Sequence, residues 1–252
     1  MGFALAKVKS TFGVRMGKKM LPRINRLIAD RSLISNAPVL SADLFPWMAR
    51  IEAEWQTIRT EMEGVLRHQQ AVPPLAAISP DHGRIAKDGK WRSFFLFGYG
   101  YRLDANCARA PRTAALVAGI PGLNSAFFSI LAPGAHIPRH TGVTKAIITC
   151  HLGLKVPTRA QDCRMDVVGH VVHWEEGKCL VFDDSQNHEV WNDTDETRVV
   201  LLLQFRRPAR GLGRLIGGLF LGGIRRTSFV QQARRNLGQW EEAYRAAEQG
   251  LA

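Results

Sequence analysis

Six short β-prone runs crowd into one stretch of this chain, at 125–131, 144–152, 164–168, 171–174, 179–182 and 198–206. Turn-forming residues stand between them, as at Pro133-Gly134, Gly169-His170 and Asn192-Asp193. Closely spaced strands with such punctuation fold as a sandwich or a barrel. The helix-like segments precede the strands and do not alternate with them, which argues against a parallel βαβ sheet. The first is 47–69, where Met48, Ile51, Trp55, Ile58, Met62, Val65 and Leu66 recur at helical spacing until Pro73-Pro74 closes the run. A polar loop is expected over 79–90. Residues 91–101 are aromatic and β-like, and 111–118 reads as a modest helix.

Within the β-rich stretch, His140 and His188 sit 48 positions apart at the edges of apolar runs, and Arg198 follows the second by ten. Imidazoles on neighbouring strands can hold a divalent metal. An arginine on a nearby strand can grip a carboxylate through two hydrogen bonds. Taken alone, the same residues also read as polar strand-end histidines without a metal and a surface arginine. His136, four before His140, reads as an exposed loop histidine or a supporting one.

Several phrases together are more specific. His140-Thr141-Gly142, His151-Leu152-Gly153-Leu154, Trp174-Glu175-Glu176-Gly177-Lys178, and Phe182-Asp183-Asp184 with His188-Glu189-Val190-Trp191 resemble the aspartyl/asparaginyl β-hydroxylase family, a branch of the iron(II)/2-oxoglutarate oxygenases. The resemblance spans roughly 120–208. It implies a mainly β fold: a double-stranded β-helix, the jelly roll of the cupins, with helices packed around it and a helical C-terminal extension. It also implies Fe(II), O2 and 2-oxoglutarate as cofactor and cosubstrates, with His140 and His188 as metal ligands. Such oxygenases commonly carry His-x-Asp or His-x-Glu, and here Gly142 stands at the acid's place, as in the resembled family. Asp183 and Asp184 are then turn residues. Arg198 and Ser129 are implied to bind the far carboxylate of 2-oxoglutarate and His151 the near one. Ser129 lies eleven before His140 and His151 eleven after it. The reaction implied converts 2-oxoglutarate to succinate and carbon dioxide while an unactivated C–H is hydroxylated.

The substrate signal departs from the family. Where aspartyl hydroxylases place two arginines against a substrate carboxylate, this chain has Ile147 and Thr149, with Lys145, or Arg92 from the front half, as substitutes. Strand alternation puts 147, 149 and 151 on one face. Looser likenesses in the front half, at Phe45-Pro46, Trp55-Gln56-Thr57-Ile58-Arg59, Lys90-Trp91 and Phe94-Phe95, resemble bacterial lipid A acyl-chain hydroxylases. The expected substrate is therefore an acyl chain or another uncharged group. An aspartyl or asparaginyl peptide and a non-catalytic cupin-like binding role stand as alternatives.

Charge divides the chain into 1–35, 36–208 and 209–252. Residues 1–35 hold eight Lys and Arg against one Asp, and 206–252 hold nine Arg against three Glu, within a total of +12. The middle is therefore near neutral. Basic, amphipathic ends point to an anionic membrane surface. The first segment is expected as a helix over 3–29 broken at Pro22; 211–224 is apolar and glycine-rich; 228–249 reads as a polar helix. No zinc-finger spacing or RNA-binding aromatic pattern supports nucleic acid as a partner. Cys107, Cys150, Cys163 and Cys179 form no CxxC pair, consistent with reduced thiols in a cytoplasmic protein, peripheral on the inner membrane face.

Overall fold

The structure, a computed structural model, describes residues 12–79, 83–86 and 88–250, so 3–11 of the expected N-terminal helix lie outside the described residues. Its strands are β1 (Val39–Leu40), β2 (Trp91–Gly98), β3 (Tyr101–Arg102), β4 (Leu123–Leu131), β5 (Ala135–His140), β6 (Ile147–Lys155), β7 (Cys163–Val167), β8 (His170–His173), β9 (Cys179–Phe182), β10 (His188–Asn192) and β11 (Arg198–Arg206). Its helices are α1 (Phe12–Asp30), α2 (Trp47–Ala53), α3 (Trp55–Leu66), α4 (Leu75–Ile78), α5 (Asp104–Arg109), α6 (Pro111–Ala118), α7 (Gly211–Arg225) and α8 (Ser228–Glu248).

Among the described residues the strands form a seven-stranded sheet, β1-β9-β6-β11-β4-β2-β3, and a four-stranded one, β5-β10-β7-β8. Each pairing is antiparallel. One core joins Phe127, Leu131, Val200 and Leu202 of the large sheet to Ile137, Met165, Val167 and Val190 of the small one. On its other face the large sheet packs Phe94, Phe128, Leu152, Leu201 and Leu203 against Ile58, Met62 and Val65 of α3 and Leu116 and Val117 of α6. β4 and β11 are thus covered on both sides, which is why their sequences read as unbroken apolar runs. Two antiparallel sheets closing on one interior are the double-stranded β-helix, with helices on the outer face of the larger sheet.

Three expected boundaries change. α1 continues through Pro22 instead of breaking there. An interior proline costs about 3 kcal/mol; packing of Ile24 and Ile28 with Ala146, Leu221 and Ile224 offsets it. The expected helix 47–69 divides at Glu54, whose backbone leaves the helical region (φ −100°, ψ 9°) while its carboxylate pairs with Arg112. β5 and β10, absent from the six expected runs, complete the small sheet. Pro138 is accommodated because β5 lies at that sheet's edge.

The C-terminal helices belong to the core. Leu237 and Tyr244 of α8 are buried, Tyr244 donates its hydroxyl to the Val65 carbonyl at 2.7 Å, and Thr227 caps the helix by accepting from the Val230 amide. Tyr244→Ala is expected to cost about 3–5 kcal/mol, the range for truncating a buried aromatic. Chemical denaturation measures this, and a loss below about 1 kcal/mol would mean α8 is a loosely held appendage.

Candidate active site

The site begins with a cross-strand pair. His188 of β10 lies directly opposite His140 of β5, and their rings approach to 4.1 Å between centroids. His140 Nδ1 lies 2.9 Å from the Pro138 carbonyl and His188 Nδ1 2.9 Å from the Gln186 carbonyl. A carbonyl can only accept, so each neutral ring carries its proton on Nδ1 and leaves the Nε2 lone pair free. Burial first, then the neighbouring His188, lowers the pKa of His140 to about 4; burial also lowers that of His188. Both rings are therefore neutral at physiological pH, the form that ligates a metal, with backbone acceptors fixing their tautomers.

Gly142 is required sterically. Its amide donates to the Asp184 carbonyl at 2.6 Å, and a Cβ there would lie 2.7 Å from Asp184 Oδ1. Among the described residues no group of three His, Cys, Asp or Glu is placed to hold a metal. The donors here that could hold an ion are the two histidines, through Nε2.

Arg198 and His151 carry the second part. Arg198 is 1% exposed, and its Nε and Nη1 have no hydrogen-bond partner among the described residues. Its guanidinium lies 4.4 Å over the Trp174 ring. Burial lowers its pKa to about 10, partly opposed by Cys163, so it remains a cation. Trp174 Nε1–H, which can only donate, bonds His151 Nδ1 at 3.1 Å. The His151 proton must then sit on Nε2, a buried nitrogen that also lacks a partner. Burial, reinforced by Arg198, holds His151 neutral. Ser129 Oγ accepts from Trp91 Nε1 at 3.0 Å, leaving its own proton to donate. Unanswered buried donors of this kind fit a carboxylate-bearing ligand. Gly153 explains how two sequence phrases interlock: a Cβ there would overlap the Glu175 carbonyl, so glycine lets the 174–178 turn cross β6 and bring Trp174 to His151.

These residues share one cavity of about 620 Å³. Ile147, Thr149 and His151 line it together, as strand alternation anticipates. Register sets His151 beside Leu202 and Thr149 beside Gln204, and these beside Phe127 and Ser125. The rung beyond His151 is therefore polar. Thr149 Oγ1 and Gln204 Nε2 donate to Asp184 Oδ2 at 2.8 and 3.2 Å. Burial, opposed first by the Thr149 hydrogen bond, raises the Asp184 pKa to about 6.

Three sequence candidates lie elsewhere. Lys145 pairs with Asp183 at 2.5 Å and does not line the cavity; Asp183 also pairs with the buried Arg207. Arg92 donates to the Gln70 and Val72 carbonyls. His136 bonds Glu189 at 2.8 Å and stacks on Trp191. Sequence reasoning missed Gln204 and the contribution of Leu221, Ile224 and Arg225 from α7. Alternation with Leu202 pointed to Gln204; nothing in the sequence brought α7 to the cavity.

Residues 52–208 match the aspartyl/asparaginyl beta-hydroxylase family. The chain belongs to this family. It is 39% identical to an ornithine lipid ester-linked acyl 2-hydroxylase of Rhizobium tropici, over 84% of this chain and 76% of that protein. It is 31% identical to the human aspartyl/asparaginyl beta-hydroxylase over 63% of this chain, spanning only 21% of that longer protein. These relatives are hydroxylases by description. A Klebsiella pneumoniae structure with a double-stranded β-helix domain matches at 15% identity and a TM-score of 0.27, covering 34% of this chain and 70% of its own; the fold assignment rests on the two sheets themselves.

An unpaired buried cation is a liability when no ligand is present. Arg198→Met is expected to leave the thermal midpoint of the ligand-free protein unchanged or raised by a few degrees, about 1 kcal/mol or more. A clear fall in that midpoint would mean that Trp174 and Cys163 satisfy the guanidinium unaided.

Proposed function

We propose that the protein is an iron(II)- and 2-oxoglutarate-dependent hydroxylase acting on an acyl chain of a lipid at a membrane surface. The observation that carries the reading is a buried Arg198, whose Nε and Nη1 have no partner among the described residues, sharing a cavity with two histidines whose Nε2 lone pairs are left available by their Nδ1 contacts. Iron(II) held by His140 and His188 would supply the activation of dioxygen. Arg198 would answer one carboxylate of 2-oxoglutarate with two parallel N–H groups, Ser129 would add a hydroxyl donor, and His151 Nε2–H would donate to the other carboxylate. Trp174 orients His151, and the Pro138 and Gln186 carbonyls keep both Nε2 lone pairs directed away from the backbone. Phe127, Ile137, Met165 and Leu202 keep the interior dry around the reacting carbon.

The substrate follows from the wall. Ile147 is apolar, Thr149 is already bonded to Asp184, and a buried carboxylate at that rung disfavours a second one. An acyl chain suits this surface better than an aspartyl side chain, in keeping with the description of the Rhizobium relative. Replacement of His140 or His188 by Ala is expected to abolish binding of Co(II) as an iron surrogate, followed by absorption spectroscopy, and to abolish oxygen incorporation into an acyl lipid, followed by mass. Full activity in both variants, or efficient hydroxylation of an aspartyl peptide by the unaltered protein, refutes the reading.

Membrane contact falls to α1 and α7, which pack together. Gly213, Gly217 and Leu221 of α7 face inward, while Leu212, Leu215 and Leu219 are 55%, 57% and 67% exposed. Arg23 and Arg26 of α1, Arg214 of α7 and Arg210 at its N-terminus are also exposed. Among the described residues no helix is long and apolar enough to cross a membrane; this stripe is suited to lie in the interface. Sedimentation with anionic vesicles, reversed by salt, is expected for the intact chain. The triple change of Leu212, Leu215 and Leu219 to Ser should weaken it by about tenfold or more, as lost apolar burial predicts. Equal sedimentation of the variant and the intact protein would count against this surface.

A further inference from the structure

Arg225 is the one arginine of α7 that lines the cavity. Its Nε is buried and has no hydrogen-bond partner among the described residues. The backbone beneath it is shaped to receive it: Gly100 has φ +82°, and any Cβ there would overlap the guanidinium. This seat is itself anchored, because the Gly100 amide donates to the Asn124 carbonyl at 2.6 Å and the Tyr99 amide to Ser125 Oγ at 3.2 Å. Tyr99 and Phe229, in edge-to-face contact at 5.9 Å, also line the cavity, as does a further cation, Arg84.

The placement along β4 separates this cation from the reacting centre. Ser125 and Ser129 both line the cavity; the four residue steps of strand from one to the other span about 13 Å. Arg225 stands at the Ser125 end, and the donors assigned to 2-oxoglutarate stand at the Ser129 end. This guanidinium keeps a buried N–H without a partner among the described residues, in a cavity whose lining mixes apolar and polar side chains. It is placed to answer a charge carried by the substrate.

We propose that Arg225 forms an anion subsite for the headgroup of the lipid substrate, so that the enzyme takes acyl lipids bearing a carboxylate or phosphate near the chain. This deepens the reading above and rests on it for the identity of the reaction, but not for the binding itself. Because α7 presents Leu212, Leu215 and Leu219 outward and Arg225 inward, the headgroup would be held where the helix meets the interface.

The test is binding by the intact chain, followed through tryptophan fluorescence. The probes are dodecanoyl-glycine, its methyl ester and dodecyl phosphate, all below their micelle concentrations. The unaltered protein is expected to bind at least one anionic probe about tenfold more tightly than the ester, the worth of a charge-assisted pair. Which anion binds better names the source. Arg225→Gln should bring the anions down to the affinity of the ester while leaving ester binding and the thermal midpoint in place. Arg225→Lys should keep part of the preference. No preference for either anion in the unaltered protein, or a preference that survives Arg225→Gln, overturns the subsite. Loss of 2-oxoglutarate turnover in an otherwise intact protein would instead overturn the proposed reaction and leave this binding difference standing.

Discussion

A positive charge buried in a β-sandwich, with no carboxylate among the described residues to meet it, governs the arrangement of this site. Arg198 cannot shed its proton at physiological pH, and burying such a charge unpaired is costly. The surroundings soften the cost without cancelling it: the Trp174 face lies beneath the guanidinium and Cys163 beside it. Trp174 in turn decides which nitrogen of His151 holds the proton, and Trp174 reaches His151 only because Gly153 lets the turn cross so closely. The unanswered buried donors thus suit a ligand that brings negative charge into the cavity. The histidine pair, His140 and His188, is set by a different constraint, the β5–β10 register, and the two parts meet across the gap between the sheets.

The fold was legible where burial is two-sided or where periodicity is long. β11 announced itself as an apolar run, α6 by its span, and α8 by a helix of polar character. β5 was not legible, because Ala-His-Ile-Pro-Arg-His lacks a continuous apolar signal and carries a proline. Edge position makes that sequence acceptable, and edge position is a tertiary fact. The hinge at Glu54 was equally hidden, since apolar positions keep their period across it while the partner that holds it, Arg112, lies far away in the chain.

The site shows the same division. Local phrases carried His140, His151, His188 and Arg198, and the structure gathers them with Ser129, Ile147 and Thr149 into one cavity. Lys145 looked available from its position beside the strand; its commitment to Asp183 depends on a residue 38 positions away. Asp184 looked like a turn residue and is one, yet it also presents a carboxylate to the cavity through the Thr149 and Gln204 rung. Long-range packing of α7 on the sheets supplied what sequence order could not, a wall of the cavity made from the part of the chain that also faces outward.

Pro138 has a consequence beyond the histidine it supports. The outermost strand of a sheet displays free backbone groups that invite a foreign strand to pair with it. At Pro138 there is no N–H to offer, and its carbonyl is already engaged by the His140 ring. A neighbouring polypeptide seeking to extend the small sheet therefore finds no ladder at that point. The strand that carries His140 is guarded against such pairing by the same residue that fixes that ring's tautomer, so the rim of the cavity stays a rim and does not become a seam between molecules.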